Sequence, residues 1–259
     1  MYKIVTPVWK KQYDTSLRAF VHPFYQTMFR KLYELDEKDA KRYIGKEGAV
    51  TENCDFLIPL VKEVWEANQS FVHQFYDIRT SEETGHVAPE YAILKGAVIR
   101  DISPINIRGM GSMALLFGLQ MIETVVNDEN GAIVLLVEQK HNFASQKEKI
   151  ACAFALYPCK DIDSEDGIWI VDYQIHLTAD EMCNVVKNFK SAVIFSEVQL
   201  EKYSLDCNYI LCSMYGLTEP LLYLFDRQKK AGIEEVLVVH MSGNTYGLAV
   251  YHVQGKEVV

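Results

Sequence analysis

The hydrophobic residues at 104–141 change their spacing twice along the chain. Apolar and polar residues first alternate around Ile105 and Ile107, as they do in a strand. After a glycine turn the apolar residues recur at helical spacing, and an Asn-Gly turn then leads into an apolar run at 132–137. The pattern predicts a strand, a tight turn, a buried helix and a buried strand. Ser112 begins the helix, where free N–H groups and the helix dipole can stabilise an anion or a nucleophile.

Strand-like and helix-like patterns alternate along the rest of the chain. Strands are predicted at 1–9, 71–78, 151–158, 168–177, 192–195, 209–212, 236–240 and 248–253. Helices are predicted at 15–36, 89–94, 179–189 and 219–230, and a Thr-Ala-Asp-Glu capping box at Thr178 opens the third of them. The apolar run at 54–64 fits either a buried strand or a buried helix, because periodicity does not separate the two over so short a length.

One local plan occurs twice in the sequence. A glycine turn, an amphipathic helix, a short charged turn and a buried strand occur at 108–139 and again at 213–243. The repetition predicts an α/β fold made of two similar halves, 1–160 and 161–259, with the second half shortened. Crevices between such halves favour ligands, so a site is expected where the two helix N-termini meet.

Composition and charge narrow the function classes. The chain has 259 residues, 49% of them hydrophobic, and a formal net charge of −9, which argues against binding nucleic acid or an anionic membrane surface. Its six cysteines show no CxxC pairing and match no metal-ligand spacing, so we expect free thiols, no bound metal and no resident cofactor. The first residues lack a signal-peptide core and no apolar run reaches membrane-spanning length, so we expect a cytoplasmic protein.

Three segments resemble the thiolase fold and, within it, the ketoacyl-ACP synthase III-like enzymes. Residues 107–119 resemble the nucleophile turn with its buried helix, and 151–158 resemble the strand that follows. The segment GNTYGLAV at 243–250 is similar to the glycine-rich turn and final strand that close these synthases. The resemblance implies five layers, with two central mixed sheets and buried helices. It also assigns substrate-binding or structural turn positions to Gly109, Gly111, Gly243, Asn244 and Gly247.

The chain departs from this family at the catalytic positions. The resemblance implies a cysteine nucleophile, with a histidine and an asparagine that bind the thioester oxygen. Ser112 stands at the nucleophile position, Glu197 lies in the loop where the histidine is expected, and Leu217 replaces the asparagine. Between Leu177 and Ala192 one predicted helix replaces the segments that would wall the acyl pocket.

Two functional hypotheses follow from the resemblance and its departures. The first is a degenerate, non-catalytic ketosynthase-like subunit. It would pair with an active ketosynthase, an acyltransferase or a carrier protein in a fatty-acid, polyketide or related secondary-metabolite pathway. Its partner would be such a subunit or a second copy of this chain, joined through the region before and including the Ser112 helix. The group it would meet is an acyl-CoA or acyl-carrier-protein thioester.

The second hypothesis is an acyltransferase that uses Ser112 as its nucleophile. A serine hydroxyl is barely ionised at neutral pH and needs a base, for which His240 is the best-placed candidate and His86 the second. The plain alternative is that Ser112 caps its helix and His240 packs in the core.

Overall fold

The computed structural model describes residues 1–14, 52–80, 89–125, 130–141, 147–162, 165–203, 209–212, 216–230 and 232–255. The predicted helix at 15–36 and the candidate base His86 lie outside these residues. Among the described residues, no helix has both the length and the apolar character needed to cross a membrane.

The described residues form ten strands, five α-helices and two 3₁₀ helices. The strands are β1 (Tyr2–Asp14), β2 (Val72–Arg79), β3 (Pro104–Arg108), β4 (Gly131–His141), β5 (Lys147–Pro158), β6 (Gly167–Leu177), β7 (Ala192–Phe195), β8 (Tyr209–Leu211), β9 (Gly232–Ser242) and β10 (Thr245–Gly255). The α-helices are α1 (Glu52–Asn68), α2 (Pro89–Gly96), α3 (Ala114–Val125), α4 (Ala179–Asn188) and α5 (Glu219–Gln228). The 3₁₀ helices are Gly111–Met113 and Val198–Tyr203.

These bounds confirm the strands predicted from the sequence, although β1, β4, β9 and β10 run longer than expected. The ambiguous run at 54–64 is helical and belongs to α1. The capping box also forms: the Thr178 hydroxyl accepts from the Glu181 N–H at 3.3 Å, and the Glu181 carboxylate accepts from the Thr178 N–H at 2.8 Å. The 3₁₀ helix at 198–203 was not predicted.

The strands form two sets of five with the same order. The first set runs β3-β2-β4-β5-β1 and the second runs β8-β7-β9-β10-β6. In each set the first three strands pair in parallel and the last two pairings are antiparallel, so only the fourth strand runs in the opposite direction. Residues 2–4 of β1 pair antiparallel with 168–170 of β6, so the two sets join edge to edge as one ten-stranded mixed sheet.

The helices and the two sets of strands stack in five layers, and three hydrophobic clusters fill the spaces between these layers. The outer cluster of the first half lies between its sheet and helices α1 and α2. The outer cluster of the second half lies between its sheet and α4. The inner cluster contains side chains from both halves and surrounds α3 and α5. Because the two inner helices share one core, both of their N-termini are held at the interface between the halves.

Candidate functional site

Ser112 lies in a turn that brings the first half of the chain against the second. Gly111 adopts a positive φ of 54° and begins the 3₁₀ helix that runs directly into α3. A residue with a Cβ would be strained at that φ, which favours glycine. The turn leaves Ser112 only 1% exposed.

The Ser112 hydroxyl makes three hydrogen bonds, all of them to the second half. It donates to the carbonyl oxygen of Met241 at 3.0 Å and accepts from the N–H of the same residue at 3.2 Å. The hydroxyl of Ser196 donates the third bond, at 3.0 Å. A hydroxyl has one proton and two lone pairs, so these bonds use its full capacity. Ser112 therefore links the two halves. Met110 stands at the cap position of the 3₁₀ helix and makes no side-chain capping bond, and none of the three Ser112 bonds goes to an N–H of its own helix, so they give no support to the alternative that Ser112 caps its helix.

The second half also fills the space over Ser112. A Cβ built on Gly216 would stand 2.6 Å from the carbonyl oxygen of Ser196 and 3.1 Å from the Cβ of Ser112. The carboxylate of Glu197 would lie 2.7 Å from the Cβ built on Gly216. Two cavities of about 360 Å³ each lie elsewhere, and neither is lined by Ser112. On the side where Gly216 packs, an acyl group has no room to reach the hydroxyl.

His240 faces the inner layer and is not hydrogen-bonded to the Ser112 hydroxyl. Every second side chain of β9 faces the inner layer: Val236 and Val238 belong to the inner cluster, and His240 is the next residue in this series. Burial lowers the pKa of His240 to about 4, and a backbone group of Ser112 offsets part of this shift. The Ser112 backbone lies close enough to favour the protonated ring, but no described group reaches hydrogen-bonding geometry with either ring nitrogen. The imidazole is therefore neutral near pH 7 and is not bonded to the group it would have to deprotonate.

The carboxyl group of Glu138 already lies at the N-terminus of α5 and is hydrogen-bonded there. Its Oε2 accepts from the N–H groups of Leu217 and Thr218, both at 3.1 Å, and from the Thr218 hydroxyl at 3.0 Å. Burial raises the pKa of Glu138 to about 7, although these bonds oppose the shift by favouring the charged form. The N–H groups of Leu217 and Thr218, which directly precede α5 and could otherwise bind a developing oxyanion, are thus bonded to Glu138.

Glu138 and His240 occupy corresponding positions in the two halves. Thr80, the first residue after β2, donates its N–H to the carbonyl oxygen of Val137 at 3.3 Å. In the same way Ser196, the first residue after β7, donates its N–H to the carbonyl oxygen of Val239 at 3.0 Å. Glu138 and His240 are the next residues along β4 and β9. Each central strand therefore places a buried titratable side chain beside the start of the inner helix of the other half.

No protein-family model matches the sequence, and no curated protein matches it closely enough to count as a relative. Solved structures do match. The alignment with 3-oxoacyl-[acyl-carrier-protein] synthase III from Aquifex aeolicus VF5 has a TM-score of 0.58 and 11% identity, over 97% of this chain and 99% of that chain. The fold is thiolase-like. The resemblance stated from the sequence is confirmed at the level of the fold.

Two further structures with this thiolase-like fold extend the comparison. The synthase III from Pseudomonas aeruginosa PAO1 aligns with a TM-score of 0.54 and 8% identity, over 100% of this chain and 99% of that chain. A fungal type III polyketide synthase aligns with a TM-score of 0.55 and 7% identity, over 98% of this chain and 100% of that chain. At such identities the likeness shows the fold, so activity has to be argued from the site.

In the thiolase-like fold three of the predicted site residues, Ser112, Glu197 and Leu217, lie in one region around Gly216. Ser112 and Gly216 are in contact, and Leu217, which is fully buried, follows directly. The predicted turn residues divide between three places. Gly109 and Gly111 lie before α3, Gly243 and Asn244 form the exposed turn of the β9–β10 hairpin, and Gly247 is buried against α3. The site roles predicted for these residues stay predictions.

Sequence reasoning missed Glu138 and Ser196, which make the closest polar contacts of the site. Glu138 ends the otherwise apolar run of β4, and with a period of two it must share the inner face with Val134 and Leu136. This position on the inner face therefore predicts that the Glu138 carboxylate is buried. Ser196 gave no such signal, because it simply follows a short strand.

Proposed function

We propose that this chain is a non-catalytic ketosynthase-like subunit. It pairs with an active ketosynthase, an acyltransferase or a carrier protein in fatty-acid, polyketide or related secondary-metabolite synthesis. The observation that carries the proposal is the Ser112 hydroxyl, whose proton and lone pairs are all bonded to Met241 and Ser196.

Acyl transfer at Ser112 would require groups that this arrangement does not supply. The hydroxyl proton points to a carbonyl oxygen, and a backbone carbonyl cannot take up the proton during attack. The His240 imidazole is not bonded to the hydroxyl. The N–H groups of Leu217 and Thr218 are bonded to Glu138 and would have to exchange a buried carboxylate for the oxyanion. In this proposal the acyl-CoA or acyl-carrier-protein thioester reacts on the partner.

The surface proposed for the partner is the free edge of β3 with the turn that follows it. Within the described part of the chain β3 pairs with β2 alone, so its other edge presents unpaired backbone groups. Met110, which follows β3, is 40% exposed. An exposed strand edge beside an apolar side chain is suited to pairing with a second chain of the same fold or with a second copy.

Co-expression with a ketosynthase encoded in the same gene neighbourhood tests the proposal. Native mass spectrometry is expected to show a stable complex that Met110→Glu weakens. Ile233→Glu is the matched control, because Ile233 is 69% exposed and lies on β9 in the other half. A chain that stays monomeric with every such ketosynthase, carrier protein and acyltransferase would refute the pairing.

The alternative, an acyltransferase that uses Ser112, draws on the neutral imidazole of His240 in the same layer. Intact-mass measurement after incubation with acyl thioesters separates the two functions. We expect no acyl adduct. An adduct that Ser112→Ala abolishes would establish the alternative and contradict the non-catalytic assignment.

A further inference from the structure

One side of α2, together with the turn that ends it, presents large apolar side chains to solvent. Tyr91 and Lys95 are four residues apart and share one side of the helix, and Val98 follows in the turn. Tyr91 is 62% exposed and Val98 is 65% exposed. Another side of α2 is packed, because a Cβ on Gly96 would collide with Ile58 of α1. Tyr91, Lys95 and Val98 form the α2 face, which the described elements leave uncovered.

Val98 is held in a strained conformation. Its φ of 61° is left-handed, where a branched Cβ is crowded and glycine is favoured. The turn forms nonetheless: the Val98 N–H donates to the carbonyl oxygen of Lys95 at 3.2 Å, and the Ile99 N–H donates to that of Leu94 at 2.9 Å. An exposed valine gains little burial within the chain to offset this strain. The strain therefore points to a contact that Val98 makes outside the chain.

The α2 face adjoins the surface proposed for the partner. Glu90, the neighbour of Tyr91, accepts a hydrogen bond from the Asn106 side chain at 2.9 Å, and its Oε2 lies 3.4 Å from Nη2 of Arg108. Asn106 and Arg108 belong to β3, whose other edge is unpaired among the described strands. A chain that pairs with this edge would therefore also lie beside the α2 face.

The charges around the α2 face favour a different chain over a second copy. Lys95 and Arg100 are exposed, and neither forms an ion pair within the described part of the chain. Asp101 is the one exposed carboxylate in 89–108, because Glu90 is buried. A contact between two copies would bring the same positively charged surface against itself. Acidic side chains on a different partner would neutralise it.

We infer that the α2 face docks the ketosynthase partner, and that this partner presents acidic side chains to Lys95 and Arg100. The inference rests on the proposed function and adds a second contact to the β3 edge. The Tyr91 ring and the Val98 methyl groups pack against apolar side chains of the partner, which supplies the burial that both lack in the free chain.

Affinity measurements on the full chain with the ketosynthase encoded in its gene neighbourhood test the inference. Tyr91→Ser should weaken the complex about tenfold, because it removes a large aromatic contact. Lys95→Glu should also weaken it about tenfold, because a carboxylate would then face the acidic side chains of the partner. Ile233→Ser and Lys187→Glu are the matched controls and should leave the affinity unchanged. Ile233 is exposed on β9, and Lys187, like Lys95, is an exposed lysine in the last turn of its helix.

Val98→Gly separates a binding role from a structural one, because its two effects should have opposite signs. Glycine tolerates the left-handed φ, so the unfolding midpoint of the free chain should rise by about 2 °C. The complex should weaken about threefold, because the methyl groups are lost. A stabilised chain that binds the ketosynthase as well as the unsubstituted one does would show that Val98 makes no contact with the partner, and would overturn its part in the inference.

The remaining outcomes distinguish this inference from the proposed function. A complex that Met110→Glu weakens, but that Tyr91→Ser and Lys95→Glu leave intact, would overturn the α2 contact and leave the pairing standing. If the ketosynthase forms no complex, the inference fails, and the proposed function fails with it only if the carrier protein and the acyltransferase form none either. A self-dimer that Tyr91→Ser dissociates would place a second copy on the α2 face and overturn the choice of partner. The unfolding midpoint of each variant checks that it is folded.

Discussion

The buried polar side chains of the site join the two halves, and each does so by satisfying backbone groups of the other half. The Ser112 hydroxyl bonds both the N–H and the carbonyl of Met241, and the Glu138 carboxyl group bonds the N–H groups of the two residues that precede α5. Buried backbone groups that lose such partners cost free energy. The contacts are therefore expected to stabilise the fold, and removing them to destabilise it.

Ser112→Ala is expected to lower the free energy of unfolding by about 1–3 kcal/mol, because it removes the partner of the buried Ser196 hydroxyl and of two half-buried backbone groups of Met241. Urea denaturation measures the change. Ser191→Ala is the control, because Ser191 is exposed and should change stability little. A Ser112→Ala variant as stable as this control would show that the hydroxyl is not a structural link.

The pKa shifts of His240 and Glu138 have opposite effects on stability. His240 has a folded pKa of about 4 against 6.5 in the unfolded chain, so between these values the unfolded state binds more protons and stability rises with pH. Glu138 has a folded pKa of about 7 against 4.5, so the folded state binds more protons and stability falls as pH rises through this window. Each effect amounts to about 3 kcal/mol, and the two offset each other where the windows overlap.

Single substitutions should expose the two opposed slopes. In His240→Leu only the Glu138 effect remains, so the free energy of unfolding is expected to fall from pH 4.5 to 7. In Glu138→Gln only the His240 effect remains, so it is expected to rise from pH 4 to 6.5. Urea denaturation at several pH values measures both, with the unsubstituted chain giving the flatter profile. Parallel profiles for all three proteins would contradict the shifts.

Among the helices and strands, the features that the sequence predicted correctly are those set by residues close together in the chain. The strand predicted at 168–177 and the capping box of α4 are read within a few residues, and both are confirmed, although burial alternates in β6 only from 172 to 177. The 3₁₀ helix at 198–203 is too short to show a period, so it was missed. The contact of Glu138 with Thr218 joins residues 80 positions apart, and no local pattern encodes it. Such a contact follows only from the arrangement of the two halves.

The capping box of α4 allows a direct test at this scale. Thr178→Ala removes the side-chain acceptor for the Glu181 N–H and is expected to cost about 1 kcal/mol of unfolding free energy. Thr178→Ser keeps a hydroxyl at the cap and is expected to cost much less. Chemical denaturation of both variants measures the difference. Equal losses would show that the methyl group of Thr178, rather than its hydroxyl, matters.

Over the whole molecule, each half lacks a complete core of its own. The inner cluster contains Leu119 and Val134 from the first half and Ile194 and Leu224 from the second. Separating the halves would expose this face, together with the strand pairing of β1 and β6 and the buried bonds of Ser112 and Glu138. Neither half is therefore expected to fold alone, although their strand orders match.

Splitting the chain into 1–160 and 161–259 tests this interdependence. The cut falls between β5 and β6 and interrupts no described strand or helix. Each fragment alone is expected to lack a cooperative unfolding transition by circular dichroism, because its inner face has no partner. Co-expressed fragments are expected to form a one-to-one complex that unfolds cooperatively.

Ser112→Ala in the first fragment should weaken that complex, since the hydroxyl bonds only to the second half. A fragment that unfolds cooperatively by itself would show that the shared inner layer is not required, and the bonds across the interface would then be secondary to folding.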